Sequence, residues 1–161
     1  MRLVGWRWLW VSALLVGLDQ LSKAWMIRHF AAGDVRALLP VFNLTLRYNP
    51  GAAFSMLADA SGWQRWFLTA LAVGVGAGII AWLPRLTAPS QRLLACALAF
   101  ILAGDLGNLI DRLQLGLVVD FIEVHWHEHL FPAFNVADSC ITVGAGLLIL
   151  EALLEHRRRP A

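Results

Sequence analysis

The sequence predicts a helical membrane protein, with four transmembrane helices and a small extended or β platform on its outer face. Three observations favour this fold class. Apolar residues make up 59% of the 161 residues and charged residues only 15%, the mean hydropathy is +0.64, and four apolar windows are each long enough to cross a bilayer. A soluble domain of this size could not bury so much apolar surface, and a disordered chain needs the opposite composition.

Four windows are predicted to span the membrane, because about 30 Å of hydrocarbon takes about 20 helical residues to cross. They are residues 6–26, 66–83, 93–110 and 137–154. Tryptophans near several of their ends are typical of interfacial aromatic belts. The first window lacks a small-residue cleavage site and continues past Asp19, so we interpret it as an uncleaved helix rather than a signal peptide.

The density of arginine and lysine predicts that both termini lie inside. The short segments at the two termini and between the second and third spans are rich in arginine, whereas the cations of residues 27–65 and 111–136 are spread over much longer segments. Within these outer segments, Val41–Tyr48 and Leu117–Trp126 are rich in β-branched and aromatic residues and are predicted strands. Residues 1–161 therefore form one membrane domain. The formal net charge of +2 is too weak for a nucleic-acid-binding protein.

Polar residues converge at one depth, near the outer ends of the predicted spans. Ionisable groups inside spans are costly, so each one indicates a function by default. The residues concerned are Asp19, Asp105, Asn108, Asp111, Arg112, Asp120 and Asp138. Because they come from four separate segments, we expect them to form a single site. Two carboxyl groups in an apolar, partly wet site share a proton, and one then acts as general base to a water while the other acts as general acid to a carbonyl.

Each of the two best-placed carboxylates also has a structural interpretation. Asp138 and Asn135 both stand where the cap of the fourth helix is expected, and a carboxylate is favoured there by the helix dipole. Asp120 could be an outward carboxylate on an edge strand, although its neighbours Val118, Val119, Phe121 and Ile122 are apolar. The residues alone leave these alternatives open.

Two further patterns carry weaker signals. Histidines alternate in VHWHEH at positions 125, 127 and 129, and on a strand they would share one face in a geometry that suits a metal ion. A solvated outer loop without a metal site is the favoured interpretation. Cys96 and Cys140 lie at opposite ends of neighbouring predicted helices, so we expect two unpaired, small apolar core residues.

Five sequence blocks carry a resemblance to a known family. They are DQLSK at Asp19–Lys23, NPGAAFS at Asn49–Ser55, GNLIDR at Gly107–Arg112, VVDF at Val118–Phe121 and FNVADS at Phe134–Ser139. In this order and with these spans, the chain resembles the lipoprotein signal peptidases (signal peptidase II) of bacterial inner membranes. The resemblance implies an aspartic endopeptidase that cuts prolipoproteins just before a diacylglyceryl-modified cysteine, near the periplasmic face.

The resemblance also implies site residues and partners. The catalytic pair falls on Asp120 and Asp138. The supporting or substrate-binding residues are Asp19, Lys23, Asn49, Gly51, Asn108, Arg112, Asn135 and Ala137. No metal or organic cofactor is implied, and the partners are modified prolipoproteins and membrane lipid, with a monomer expected. Asp105 departs from the pattern, which has a small apolar residue there; we expect it to face the same side as Asn108 and to be protonated or paired with a neighbour.

Two other functions compete with a peptidase. In-span carboxylates also build proton relays, which would make the chain a small proton-coupled transporter. A scaffold that binds lipidated partners without catalysis is the third alternative. The inner halves of all four predicted spans are almost wholly apolar, which disfavours a relay across the bilayer.

Overall fold

The computed structural model describes residues 5–50 and 62–158, which form a helical bundle with a small sheet at one end. The long helices are α1 (Trp6–His29), α2 (Trp63–Trp82), α3 (Arg92–Gln114) and α4 (Val136–Arg158). The strands are β1 (Val35–Leu39), β2 (Phe42–Asn49), β3 (Val118–Trp126) and β4 (His129–Leu130). Two short 3-10 turns, Leu83–Arg85 and Pro89–Gln91, connect α2 to α3.

The four long helices cover nearly all of the four predicted windows, and within the described residues 5–50 and 62–158 three helical segments are long and apolar enough to cross a membrane. These three are Trp63–Arg85, Pro89–Gln114 and Val136–Arg157. The remaining helix, α1, is 24 residues long and carries polar residues in its second half. α3 continues past the predicted third window, 93–110, and ends at Gln114 before the chain turns.

The bundle is centred on α3, which packs against the other three long helices. Small residues allow this close packing, as is usual between helices in membranes. A Cβ atom added to Gly104 would clash with the carbonyl oxygen of Ala137, and one added to Gly144 would lie 2.8 Å from that of Ala97. The backbones of α3 and α4 are therefore held close enough for polar side chains at the end of α3 to reach the start of α4.

The sheet is antiparallel, in the order β1-β2-β3-β4. Its inner side packs on the end of α1 through a cluster of Met26, Phe30, Leu46, Val119 and Phe121. The predicted strands correspond closely to β2 and β3 and are confirmed, whereas β1 and β4 were not predicted.

The segment that enters α4 pairs with β3, and this pairing brings two distant parts of the chain together. Phe134 exchanges backbone hydrogen bonds with Ile122: its N–H donates to the Ile122 carbonyl at 2.9 Å, and its carbonyl accepts from the Ile122 N–H at 2.8 Å. As a result, the middle of β3 lies beside the first turn of α4.

The alternating histidines do not share one strand face, which is the arrangement that the disfavoured metal-site alternative required. His127 has a φ of 53° and lies in the turn between β3 and β4. After the turn, His129 pairs with Trp126 and Leu130 with His125. The two cysteines are both unpaired, as predicted.

Candidate active site

Asp120 lies in the middle of β3 and is only 3% exposed. Both of its carboxylate oxygens accept hydrogen bonds from side-chain amides. Asn135 Nδ2 donates to Oδ1 at 2.8 Å, and Asn49 Nδ2 donates to Oδ2 at 3.1 Å. Burial, together with the nearby charge of Asp138, raises the pKa of Asp120 to about 7, against the opposing effect of the two amide hydrogen bonds. Asp120 can therefore exchange a proton close to neutral pH.

Asp138 lies in the first turn of α4 and accepts hydrogen bonds on both oxygens. Asn108 Nδ2 donates to Oδ1 at 2.8 Å, and the backbone N–H of Asn135 donates to Oδ2 at 3.3 Å. In return, the backbone N–H of Asp138 donates to Asn135 Oδ1 at 2.8 Å. This reciprocal pair is a capping box, so the capping interpretation of Asn135 and Asp138 is correct. The cap also fixes the direction of the Asp138 carboxylate.

Asn135 links the two carboxylates. It is completely buried, and its backbone and Oδ1 contact Asp138 while its Nδ2 contacts Asp120. The same amide nitrogen lies 3.2 Å from Asn108 Oδ1 and from the Val119 carbonyl oxygen. One side chain thus sets the position of both acidic groups.

A buried ion cluster supports the site from behind. Lys23 Nζ lies 2.8 Å from Asp19 Oδ2 and 2.9 Å from Asp111 Oδ2, and it donates to Asn108 Oδ1 at 3.1 Å. Lysine has three N–H donors, so these contacts use all of them. Because lysine can only donate, the atom of Asn108 that faces it must be the oxygen, and the Asn108 Nδ2 therefore points to Asp138.

Asp19 holds the start of α4. Its Oδ1 accepts the backbone N–H of Ala137 at 2.8 Å, where a negative charge is favoured by the helix dipole. Ala137 is 1% exposed and packs against Gly104 and Gly107, which leaves no space for a larger side chain. The site role of Ala137 is therefore to let α4 approach α3.

Sequence reasoning missed Gln20 as a member of the site, and it counted Asp111 among the converging polar residues without giving it a supporting role. Gln20 Nε2 donates to Asp111 Oδ1 at 3.0 Å, and Asp111 Oδ2 accepts the Val119 backbone N–H at 3.0 Å. Asp111 therefore connects α3 to the strand residue that precedes Asp120. The available signal was the polarity of both residues inside apolar helices.

A cavity of about 460 Å³ lies in front of the two carboxylates. Five of the predicted site residues line it: Asn49, Asn108, Arg112, Asp120 and Asp138. Apolar side chains complete the wall, among them Val118, Phe134, Ile141 and Val143. Asp19, Lys23, Asn135 and Ala137 lie behind this surface, and Gly51 lies outside the described residues. Apolar walls with a few convergent polar groups are typical of a ligand site.

Asp105 does not join this site. It is not among the residues that line the cavity, and its Oδ2 packs against Gly76 of α2, where an added Cβ atom would lie 2.9 Å away. Within residues 5–50 and 62–158, that oxygen has no hydrogen-bond partner. The expected pairing of Oδ2 is therefore not found there, and the expected protonation stays a prediction.

The fold and the site together define a helical membrane protein with one buried and one partly buried carboxylate beside one cavity. A family model described as signal peptidase (SPase) II matches residues 11–154. A lipoprotein signal peptidase of Yersinia enterocolitica serotype O:8 is 48% identical over 98% of this chain and 92% of its own length. One of Shewanella pealeana is 50% identical over 93% and 88%.

A solved structure has the same fold. It is titled as a bacterial membrane enzyme structure obtained by the in meso method at 2.3 Å resolution, and it is 28% identical to this chain. The match has a TM-score of 0.84 and covers 96% of this chain and 92% of the other. The chain belongs to the signal peptidase II family, and its class is that of a peptidase that processes lipoproteins. This assignment does not favour the transporter alternative.

Proposed function

We propose that this chain is an aspartic endopeptidase that cuts prolipoproteins just before the diacylglyceryl-modified cysteine. The observation that carries the proposal is the pair of carboxylates Asp120, which is buried, and Asp138, which is partly buried; they are linked through Asn135 and line one cavity. Aspartic peptidases need two carboxyl groups that share a proton. Since a single chain supplies both groups, we also propose that it acts as a monomer.

The proposed reaction begins with one carboxyl of the pair protonated and the other ionised. The ionised carboxylate takes a proton from a water as the water oxygen bonds to the scissile carbonyl carbon. The protonated carboxyl gives its proton to the carbonyl oxygen, which produces a tetrahedral diol. As the diol collapses, the C–N bond breaks, the carboxyl that took the water proton gives it to the cysteine nitrogen, and the other carboxylate takes the proton of a diol hydroxyl, which restores the starting pair. The raised pKa of Asp120, about 7, suits a group that both gives and accepts a proton near neutral pH.

Two further residues are proposed to bind the substrate. Arg112 lines the cavity beside Asp138 and carries a positive charge there. A guanidinium group has only donors, so Arg112 donates to substrate carbonyl oxygens. Asn49 lines the same cavity and donates to Asp120, which places it within reach of both the substrate and the carboxylate.

We propose that α1 is the fourth transmembrane span. A helix of 24 residues is about 36 Å long. Its interior ionisable residues Asp19 and Lys23 are 1% and 2% exposed, so they do not face lipid. Its exposed ionisable residues, Arg7, Arg28 and His29, lie at the two ends of the helix. Between those ends the exposed large side chains are apolar: Trp10, Leu14, Leu18, Leu21, Trp25 and Ile27. The apolar outer surface of α1 suits the hydrocarbon, and the polar residues are turned inward.

With four spans, we expect the site near the outer face of a bacterial inner membrane. With both termini in the cytoplasm, the end of α3 and the start of α4 lie near the periplasmic face, and Asp120 and Asp138 lie with them. A substrate anchored by its lipid would present its cysteine at this depth.

The test is cleavage of a diacylglyceryl-modified prolipoprotein by the purified chain in lipid. Asp120→Asn and Asp138→Asn are each expected to lower kcat/KM by about 10²- to 10⁴-fold, since each removes a group that transfers a proton. Asp138→Asn keeps an oxygen that accepts the capping hydrogen bond, so its unfolding temperature reports whether the fold is intact.

Asp34→Asn is the matched control. Asp34 accepts a hydrogen bond from the Ala31 N–H and does not line the cavity, so the variant should cut at the wild-type rate. Near wild-type cleavage by both Asp120→Asn and Asp138→Asn would refute the two-carboxylate mechanism. Proton flux into vesicles without any proteolysis would favour the transporter instead.

A further inference from the structure

A second cavity, of about 520 Å³, meets the first one at Asp120. The two cavities share Asn49, Asp120 and residues 131–133. From there the first cavity extends along the apolar helix α4 as far as Val143. The second extends over the sheet and is lined by Arg47 and Glu123. A polypeptide that crosses Asp120 would thus lie with one side in a mostly apolar space and the other in a space with both apolar and charged side chains.

Arg47 is the charged side chain of the second cavity that is open to a ligand. Its side chain is 50% exposed, and its Nη2 lies 3.1 Å from Glu123 Oε2. Glu123 is only 5% exposed, and its other oxygen accepts from Asn43 Nδ2 at 3.0 Å. A guanidinium has five N–H donors, and the contact to Glu123 uses one of them. At Arg47 the surface that a ligand meets is therefore positive, because the carboxylate of Glu123 is buried beneath it.

The register of the sheet turns Arg47 toward the catalytic candidates. Arg47 is paired with Asp120 across β2 and β3, and residues paired in this way project from the same face. Asn49, two residues further on, also projects from that face and donates to Asp120. Arg47, Asn49 and Asp120 therefore form one row that leads from the second cavity to the site.

We infer that Arg47 and the second cavity bind the first residues of the substrate after the cut cysteine, and that they favour acidic over basic side chains there. The inference rests on the proposed function, because it needs the scissile bond at Asp120. The signal peptide is apolar and suits the cavity along α4, whereas the mature chain must leave toward water. An extended polar segment supplies carbonyl and carboxylate oxygens, to which the guanidinium of Arg47 donates hydrogen bonds.

The test uses three modified prolipoproteins that differ only in residues two to five after the cysteine, which are acidic, neutral or basic. The wild-type chain is expected to show a kcat/KM about two- to fivefold higher for the acidic than for the basic substrate, as for a solvent-exposed ion pair. The difference should lie mainly in KM and should shrink as salt is raised. Arg47→Gln should abolish the preference, and Arg47→Lys, which keeps the charge, should retain part of it.

Arg36→Gln is the matched control, because Arg36 lies on β1 over the ring of Phe30 and lines neither cavity. It should keep the wild-type preference. An equal preference in wild type and Arg47→Gln, or no charge preference in wild type, would overturn the subsite while leaving the peptidase in place. A wild-type chain that cuts none of the three substrates would overturn the proposed function, and with it the subsite.

Discussion

The buried cluster around Lys23 and the cavity in front of Asp120 are both polar, but they use their polar groups differently. In the cluster, Lys23 gives all three of its N–H donors to Asp19, Asp111 and Asn108. The polar groups of the cluster are therefore already paired with one another and are not available to a ligand. In the cavity, Asp120 and Arg112 border open space. The first region fixes positions, and the second has groups left for a substrate. Loss of a residue should therefore affect stability in the cluster and chemistry in the cavity.

The largest stability effect is expected for Lys23→Met. The substitution leaves Asp19 and Asp111 buried without their cation, which costs about 3–5 kcal/mol when one partner of a buried pair is removed. Chemical denaturation in detergent measures the free energy of unfolding. Arg28→Met, at an exposed position of the same helix, should change it by less than about 0.5 kcal/mol. If the two variants unfold alike, the cluster does not hold the bundle together.

A smaller effect is expected in the pH dependence of cleavage. The pKa of Asp120 is raised to about 7, so the pair loses its shared proton, and kcat/KM falls, as the pH rises through that value. Asn49→Ala removes a hydrogen bond that favours the ionised carboxylate, and the pKa of Asp120 should rise further. The upper limb of the pH profile should then move to higher pH by about one pH unit. If the upper limb stays in place in Asn49→Ala, the ionisation that limits cleavage at high pH is not that of Asp120.

The raised pKa also affects stability, with a defined sign. The folded chain holds the proton of Asp120 more tightly than the unfolded chain, whose carboxyl titrates at its ordinary value of 3.8. The contribution of this group to the free energy of unfolding is therefore greatest below about pH 4 and is lost between about pH 4 and pH 7. Denaturation of wild type and Asp120→Asn across this window measures it, since the variant cannot titrate.

The smallest effect on cleavage and stability is expected for Asp105→Ala, which tests a carboxyl outside both the Lys23 cluster and the cavity. Asp105 lies in the same helix as Asp111 but belongs neither to the cluster nor to the cavity surface. Removal of its carboxyl should leave cleavage within about twofold of wild type and should not lower stability, since Oδ2 has no hydrogen-bond partner in the described part of the chain. Abolished cleavage by a well-folded Asp105→Ala protein would show that the carboxyl takes part in the reaction.

Much of the fold could be predicted because its signals are local. Runs of apolar residues predict helices wherever they occur, and β2 and β3 follow from β-branched and aromatic residues. The short strands β1 and β4 escaped prediction, since five and two residues carry little pattern. The shared strand face that the alternating histidines suggested as a weaker alternative is absent for a related reason. A positive φ at His127 turns the chain, and alternation in the sequence does not reveal a turn.

Hydropathy and the order of residues along a helix are properties of the chain alone, so the sequence sufficed to predict the class of the protein and the gathering of most of its polar residues at one end of the bundle. The tertiary structure alone decided which of these residues meet. That Lys23 pairs with Asp111, that Asn135 links Asp120 to Asp138, and that Asp105 turns toward Gly76 depend on helix rotation and close approach at small residues. Those contacts join segments distant in sequence, and local patterns do not encode them.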